Sequence, residues 1–302
     1  MTFSVNTELY HKKTESQAKS SHTPEVGGRN HLPLDFWKGM WYNTGMLAYI
    51  HSDASCVVRT RGGTAPMRIG YVITNLHQQP VARVGQFTKG MNGEANGTIN
   101  QAEYLALIEA MRHAFRLGFT EVDCTVDSQL LARQLSGHYQ IKDRKLVRLY
   151  REVREIGHYF RAAEIHWEPR GENTEADRLT HVSVFEEPPV TVQPSKGRRP
   201  RMIPDWLAAR ARRLVAEQIE LRGEYNPSVL ARLLRFDLTG VRQLLRGATY
   251  RAASEEGAPN WDSYTGPLAA VDDATGWPDA EDLEEIVGDP YPYEDAVTPA
   301  TS

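Results

Sequence analysis

The sequence predicts an α/β fold, with a five-stranded mixed sheet flanked by helices, then a small all-α module and a disordered acidic tail. Three observations support this prediction. Short apolar segments between residues 46 and 88 indicate consecutive strands, and helices then alternate with strands up to residue 184. A Pro-rich and Arg-rich segment follows. After Arg251 the chain has thirteen Asp or Glu residues and no Lys or Arg.

The predicted elements follow one another in the order βββαβααβα. Segments rich in β-branched and aromatic residues predict strands at 46–51, 68–74, 81–88, 122–126 and 163–168. Apolar residues spaced three and four apart predict helices at 100–118, 128–136, 143–160 and 174–184. Asn100 is expected to cap the first helix, and Gly118 to end it.

Composition divides the chain into parts and excludes several classes of protein. The expected parts are a partly disordered N-terminal arm at 1–46, a catalytic domain at 47–185, a linker at 186–202, a basic helical module at 203–252 and the acidic tail at 253–302. No apolar run is long enough to span a membrane, and no signal peptide is evident. The two cysteines, Cys56 and Cys124, are too few for a disulfide framework, so a cytoplasmic location is expected.

Four carboxylates lie at the edges of different predicted elements, at positions Asp53, Glu103, Asp127 and Asp177. Carboxylates that converge in a fold repel one another unless cations neutralise them. Hard divalent ions such as Mg²⁺ prefer oxygen ligands, and two such ions about 4 Å apart can cleave a phosphodiester. The pattern therefore predicts a metal-dependent nuclease, whereas each acid taken alone could be a helix cap or a turn residue.

Longer stretches around these acids carry a family resemblance. They are Thr98–Ala110, Val126–Asp143, Arg144–Val153 and Glu168–Leu179. Together, and in this order, they resemble type 1 ribonuclease H, particularly its compact bacterial and phage-like form, over residues 47–183. The resemblance implies a ribonuclease H-like sheet and cleavage of the RNA strand of RNA–DNA hybrids, with 5′-phosphate products.

The resemblance also implies the metal ligands and their roles. Asp53, Glu103, Asp127 and Asp177 match the four ligands of the family and would hold two Mg²⁺ ions, for which Mn²⁺ can substitute. In the family one ion activates water and the other stabilises the leaving oxygen. Asp53 and Asp127 would flank the ions, Glu103 would bind on the nucleophile side, and Asp177 would hold one ion loosely.

Other matched positions imply contacts with the hybrid. Thr98 matches a residue that binds a DNA phosphate, Asn100 one that contacts the hybrid, and Gln129 lies beside Asp127 within reach of a base edge or sugar. Phosphate contacts are expected from Lys142, Arg144 and Lys145, although a solvated helix face is the alternative. Arg170 lies near the position of a mobile His in many members, where it could bind phosphate but could not relay protons.

Two further departures from the family concern the first strand and the first helix. The usual glycine-rich turn after Asp53 is replaced by a different segment that ends at Gly63, and Ile99 replaces the first of two usual consecutive Asn residues. The geometry of that turn and one contact with the hybrid are therefore open at the level of sequence.

The C-terminal segment 226–251 resembles a generic helix-turn-helix, in which Arg235 occupies a turn position where Gly is usual. Arg242, Gln243 and Arg246 are expected to face outward on its second helix and to bind double-stranded DNA. A purely structural helical pair is the alternative.

For the whole chain, the rival to an endoribonuclease is a non-catalytic nucleic-acid-binding regulator with a DNA-binding helix-turn-helix. The sequence assigns no partner to the acidic tail.

Overall fold

A computed structural model describes residues 3–6, 46–56, 64–187, 203–255, 258–263 and 269–270. Most of the predicted N-terminal arm and linker, the segment from 57 to 63 and the tail beyond residue 270 lie outside the described residues. Within the described part, no helix is long and apolar enough to cross a membrane.

The centre of the molecule is a mixed sheet built on the five predicted strands. The described strands are β1 (Phe3–Asn6), β2 (Leu47–Cys56), β3 (Ala65–Thr74), β4 (Pro80–Thr88), β5 (Asn96–Gly97), β6 (Glu121–Val126), β7 (Ala162–Trp167), β8 (Val184–Glu187) and β9 (Ala269–Ala270). Their order across the sheet is β1-β7-β6-β2-β3-β4-β8-β9, and β5 pairs with β3. The α/β prediction with a mixed five-stranded centre is confirmed.

Strand direction changes at β2, which lies in the middle of the sheet. β2 runs parallel to β6, and β6 parallel to β7, whereas β2, β3 and β4 form an antiparallel meander. The parallel connections need helical crossovers, which the chain supplies on the way into β6 and β7. β6 ends at Val126, which lies opposite Ser52 near the C-terminal end of β2. Residues that follow either strand therefore meet at one edge of the sheet.

Seven helices complete the described part of the chain. They are α1 (Ile99–Leu117), α2 (Gln129–Leu135), α3 (Arg144–Gly157), α4 (Thr174–Leu179), α5 (Asp205–Arg222), α6 (Pro227–Leu234) and α7 (Leu238–Leu245). α1 ends as predicted at Gly118, which has a positive φ of 98°. Its predicted cap is wrong: Thr98, not Asn100, is the N-cap, because Thr98 and Gln101 form a reciprocal capping box.

The last predicted helix of the catalytic domain, at 174–184, is too long. α4 ends at Leu179, where the hydroxyl of Thr180 donates a 2.8 Å hydrogen bond to the carbonyl of Asp177. The chain then forms β8, which pairs antiparallel with residues Arg83–Gly85 of β4. The spacing of apolar residues does not reveal this switch from helix to strand. The strand forms because the edge of β4 offers unpaired backbone groups with which the segment can pair.

The C-terminal helices share one hydrophobic core with the sheet domain. α6 and α7 are joined by a turn in which Arg235 has the left-handed conformation, with φ 52° and ψ 44°. Four apolar residues of these two helices are buried in that core, namely Ala231, Leu234, Val241 and Leu244. The described start of the predicted tail also lies on this core, because Trp261 is buried and donates a hydrogen bond to the carbonyl of Leu117.

Candidate metal centre

Three of the four predicted carboxylates converge at one edge of the sheet. Asp53 lies near the end of β2, Asp127 follows β6 directly, and Glu103 lies in the first half of α1. One ligand oxygen from each residue lies within 4.8 Å of the others. Because β2 and β6 are parallel neighbours, their ends meet at this edge, and α1 packs across it. The sequence prediction of a convergent acidic site agrees with this geometry.

The electrostatics of the cluster favour binding of a cation. Burial and, next, the negative charge of Asp127 together raise the pKa of Asp53 to about 7. Burial, followed by the charges of Asp53 and Asp127, raises the pKa of Glu103 well above its usual range. Burial also raises the pKa of Asp127, against the lowering effect of Arg170. These carboxylates are costly to ionise together, and a divalent cation would remove that cost.

Asp53 presents an oxygen that no described donor satisfies. The residue is only 1% exposed, and its Oδ1 accepts a 2.7 Å hydrogen bond from the backbone N–H of Ala54. Within the described residues its buried Oδ2 has no hydrogen-bond partner. A buried carboxylate oxygen without a donor is costly unless a proton or a cation occupies the position. The site therefore fits a hard cation held by oxygen ligands.

Asp177 lies at the rim of the cluster, where its side chain is 38% exposed. Its charge contributes to the raised pKa of Asp53, so the two side chains lie close enough to interact. Arg170 lies between the acids, with Nη2 3.3 Å from Oδ1 of Asp177 and Nε 3.8 Å from Oδ2 of Asp127. The Arg170 side chain is 72% exposed, so it can turn toward solvent or a ligand.

The sequence did not point to two residues that position this site. Trp167 donates a 3.0 Å hydrogen bond from its indole nitrogen to the carbonyl of Asp127. Buried Asn173 donates a 2.9 Å hydrogen bond to the carbonyl of Ser52, beside Asp53. Both contacts join segments that are far apart in sequence. The only available signal was the position of Asn173 just before the helix that carries Asp177.

The predicted substrate-binding residues Thr98, Asn100 and Gln129 differ in their exposure and in their hydrogen bonds. Thr98 uses its hydroxyl to cap α1, as acceptor from the N–H of Gln101. Asn100 is half-buried at the second residue of α1, and the described residues offer its side chain no hydrogen bond that would hold it. Gln129 is exposed at the start of α2.

The predicted phosphate contacts Lys142, Arg144 and Lys145 are all exposed at the beginning of α3. Lys145 forms an ion pair with Glu94, with 3.1 Å between Nζ and Oε1. More than half of the Lys145 side chain is exposed, so it remains accessible from solvent despite this ion pair.

The C-terminal module is attached to the sheet domain by buried charges. Glu152 of α3 accepts hydrogen bonds from Arg112 of α1, at 2.7 Å, and from Nε of Arg232 of α6, at 2.9 Å. Arg210 of α5 is buried and donates to the carbonyls of Gly118 and Phe119. These contacts lie along the C-terminal half of α1, and Gly118 is about 20 Å of helix away from Glu103.

The predicted DNA-binding residues of this module face solvent. Arg242 and Gln243 of α7 and Arg246 at its C-cap are exposed, while Val241 and Leu244 of the same helix are buried. The outward orientation expected from sequence is therefore present, and its use remains a prediction.

An oxygen-only acidic site at one edge of a mixed α/β sheet defines a candidate divalent-metal centre of the kind used in phosphoryl chemistry. Residues 53–183 match the family described as reverse transcriptase-like. The chain is 33% identical to ribonuclease HI of Halobacterium salinarum over 122 residues. This match covers 40% of this chain and 58% of that protein. Over this domain the chain is similar to the reverse transcriptase-like family, and the resemblance to ribonuclease H is confirmed.

Other relatives match the same domain. The chain is 33% identical over 122 residues to a bifunctional protein of Mycobacterium tuberculosis, and it spans about a third of that relative's length (32%). The N-terminal RNase H domain of that protein, solved as a fusion with maltose-binding protein, is 31% identical; the match covers 44% of this chain and 95% of that chain, with a TM-score of 0.39. RNase H1 of Halobacterium salinarum is 33% identical, with coverages of 44% and 92% and a TM-score of 0.38.

Proposed function

We propose that the protein is an endoribonuclease that cleaves the RNA strand of RNA–DNA hybrids by metal-dependent hydrolysis. The main support is the convergence of Asp53, Glu103 and Asp127 within 4.8 Å, together with the buried Asp53 oxygen that lacks a donor. A protein that only bound nucleic acid would gain nothing from buried anions that face phosphate. The ribonuclease HI relative supports the same activity.

The residues divide into those that would hold the cation and those that would adjust the charge of the site. Asp53, Glu103 and Asp127 would bind divalent cations, and Asp177 would complete the set from the exposed rim. Bound cations would supply an activated water and charge stabilisation for the leaving oxygen. We propose two Mg²⁺ ions, because oxygen ligands and an open rim suit this ion, with Mn²⁺ as a substitute. Arg170 would exchange its contacts with the acids for a substrate phosphate.

Selection for RNA would depend on residues at the start of α1. Asn100 lies three residues before Glu103, with a side chain that no described residue holds, so it could bind a 2′-hydroxyl close to the reacting phosphate. Thr98 and Gln129 lie on the flanking segments and would contact the DNA phosphate and a base edge or sugar. Lys142, Arg144 and Lys145 would add phosphate contacts from the beginning of α3.

Cleavage of a panel of labelled duplexes tests this substrate. The RNA strand of a hybrid should be cut internally in Mg²⁺, whereas double-stranded DNA of the same sequence should remain intact. Asn100→Ala should raise KM for the hybrid by about tenfold, the effect of one hydrogen bond worth roughly 1.4 kcal/mol, and leave Mn²⁺ affinity unchanged. Asn92→Ala, in an exposed turn, is the matched control. Equal cleavage of double-stranded DNA would refute hybrid selectivity.

The C-terminal module is proposed to bind double-stranded DNA or the flank of a hybrid through α7. Its exposed Arg242, Gln243 and Arg246 support this role, and a purely structural role is the alternative. Removal of the whole module is a poor test, because Trp206, Leu230 and other residues of the shared core would lose their partners. Point variants on the exposed face of α7 keep that core intact.

Affinity measured against salt concentration tests the module. Because each phosphate contact contributes about 0.9 to the slope of log K against log salt, Arg242→Ala combined with Arg246→Ala should reduce the slope by about 2. Arg213→Ala removes a charge that is already paired with Glu217 and Glu255, so it serves as the control. An unchanged slope in the double variant would favour the structural role.

We also propose a cytoplasmic location, in which the thiols of Cys56 and Cys124 remain reduced. Both cysteines are free, and Cys124 is buried in the sheet. Burial raises the pKa of the Cys124 thiol well above its usual range, which lowers its reactivity.

A further inference from the structure

The short helix α4, which carries Asp177, rests on two glycines that pair with each other across the sheet. Gly70 of β3 lies opposite Asp53 of β2, and Gly85 of β4 lies opposite Gly70. The three residues therefore form one row across three strands. Side chains in such a row point to the same face of the sheet, which is the face that α4 covers.

The backbone of α4 approaches the sheet so closely that no side chain fits beneath it. A Cβ atom at Gly70 would lie 2.6 Å from the nitrogen of Thr180 and 2.9 Å from the carbonyl carbon of Leu179. A Cβ atom at Gly85 would overlap the carbonyl oxygens of Leu179 and Val182. All of these neighbours are backbone atoms, so a side-chain rotation cannot relieve the overlap.

Two hydrogen bonds fix the same helix from its ends. Asn173, immediately before α4, donates to the carbonyl of Ser52 at 2.9 Å, and it is 1% exposed. Arg68 of β3 donates from Nε to the carbonyl of Thr180 at 2.6 Å, immediately after α4. The glycines set the height of the helix above the sheet, and these bonds set its position along the strands.

We propose that Gly70, Gly85 and Asn173 are positioning residues for Asp177. They hold the helix low enough for the Asp177 carboxylate to act together with Asp53 and Asp127. This inference rests on the proposed function, because it assigns a purpose to the close approach of α4. A helix of six residues has too few contacts of its own to fix a side chain, so the sheet must supply them.

The expected effect follows from the size of the displacement. Relief of the overlap at Gly85 requires α4 or β4 to move by about 1 Å, since ordinary carbon contacts are about 3.5–4 Å. A misplacement of about 1 Å in a catalytic group can lower the rate by about 100-fold. Gly85→Ala should therefore lower kcat by about 10- to 100-fold while KM for the hybrid changes little.

A double-mutant cycle with Asp177 tests the inference in the full chain. If Gly85→Ala acts through Asp177, the variant Gly85→Ala with Asp177→Ala should be no slower than Asp177→Ala alone, within about twofold. Gly85→Ala should also weaken Mn²⁺ binding, followed by titration calorimetry, by the same factor as Asp177→Ala. Gly90→Ala is the matched control, because its Cβ would meet only the flexible side chain of Glu94.

Multiplicative losses in the double variant, or unchanged Mn²⁺ binding in Gly85→Ala, would overturn the inference. If Gly85→Ala does not fold, Asn173→Ala replaces it in the same cycle, with the same expected lack of additivity. The Mn²⁺ titration separates this inference from the proposed activity. A wild-type protein that cleaves no hybrid, but whose Mn²⁺ affinity falls equally in Gly85→Ala and Asp177→Ala, would contradict the activity and retain the positioning role.

Discussion

Asp53→Asn is expected to bind hybrid with unchanged affinity and to cleave it at least about 1,000-fold more slowly, a loss of roughly 4 kcal/mol of transition-state stabilisation. The substitution preserves the volume of the side chain and removes one of the three converging carboxylates. It should also remove most of the Mn²⁺ binding measured by calorimetry. Wild-type cleavage by this variant would show that Asp53 is not a metal ligand.

The same substitution should stabilise the metal-free protein at neutral pH. The pKa of Asp53 is raised from 3.8 to about 7, so the folded state retains a proton that the unfolded state has released between these values. The free energy of unfolding should therefore fall as pH rises from about 4 to about 7. In EDTA, Asp53→Asn should unfold at a higher temperature than the wild type at pH 8, with a smaller difference at pH 4. A lower unfolding temperature for Asp53→Asn than for the wild type at pH 8 would contradict the electrostatic cost assigned to the ionised cluster.

Glu152→Ala is expected to cause the largest loss of stability, about 3 kcal/mol, because it leaves buried guanidinium groups without their carboxylate. Glu152 joins Arg112 to Arg232, and only 2% of its side chain is exposed. Arg112 keeps an ion pair with Glu109 at 2.5 Å, which places the loss near the lower end of the usual range. Urea unfolding at pH 7 measures the effect.

Glu155→Ala provides the control for Glu152→Ala. Glu155 lies one turn further along α3 and pairs with Arg222 at 3.0 Å, but both side chains are partly exposed, so the loss should be below about 1 kcal/mol. Burial favours a raised pKa for Glu152, but the contacts with Arg232 and Arg112 together outweigh it and lower the pKa to about 2. The stability due to this carboxylate should therefore be complete above pH 4.5 and decline as pH falls toward 2. Equal losses in the two variants would contradict the buried bridge.

Local patterns predicted the parts of the fold that depend on neighbours in sequence. The apolar spacing of α1, its end at Gly118 and the strand that leads to Asp127 are all of this kind. The capping residue was missed because Gln101 selects Thr98 by a reciprocal hydrogen bond, which favours that residue over the equally suitable Asn100. β8 was missed because its formation depends on the free edge of β4 and not on its own sequence.

The residues of the candidate site divide in the same way, into those that local sequence predicts and those whose role depends on tertiary packing. The acids could be found from sequence because each one lies at the edge of a predictable element and matches a family motif. Gly70, Gly85 and Asn173 gave no signal, because their role depends on which strands lie opposite one another and how closely α4 approaches them. The docking of α6 was hidden for a related reason: Arg232 and Glu152 are ordinary helix residues until the two helices pack together.

Cleavage of a uniformly labelled RNA–DNA hybrid, with product ends analysed, tests the central claim most directly. The expected result is internal cutting of the RNA strand in Mg²⁺ or Mn²⁺, with 5′-phosphate ends, and none in EDTA. Asp53→Asn, at equal hybrid occupancy, should give no product above background. Hybrid that is bound by the wild-type protein yet stays intact in both metals would contradict the account and favour the non-catalytic regulator.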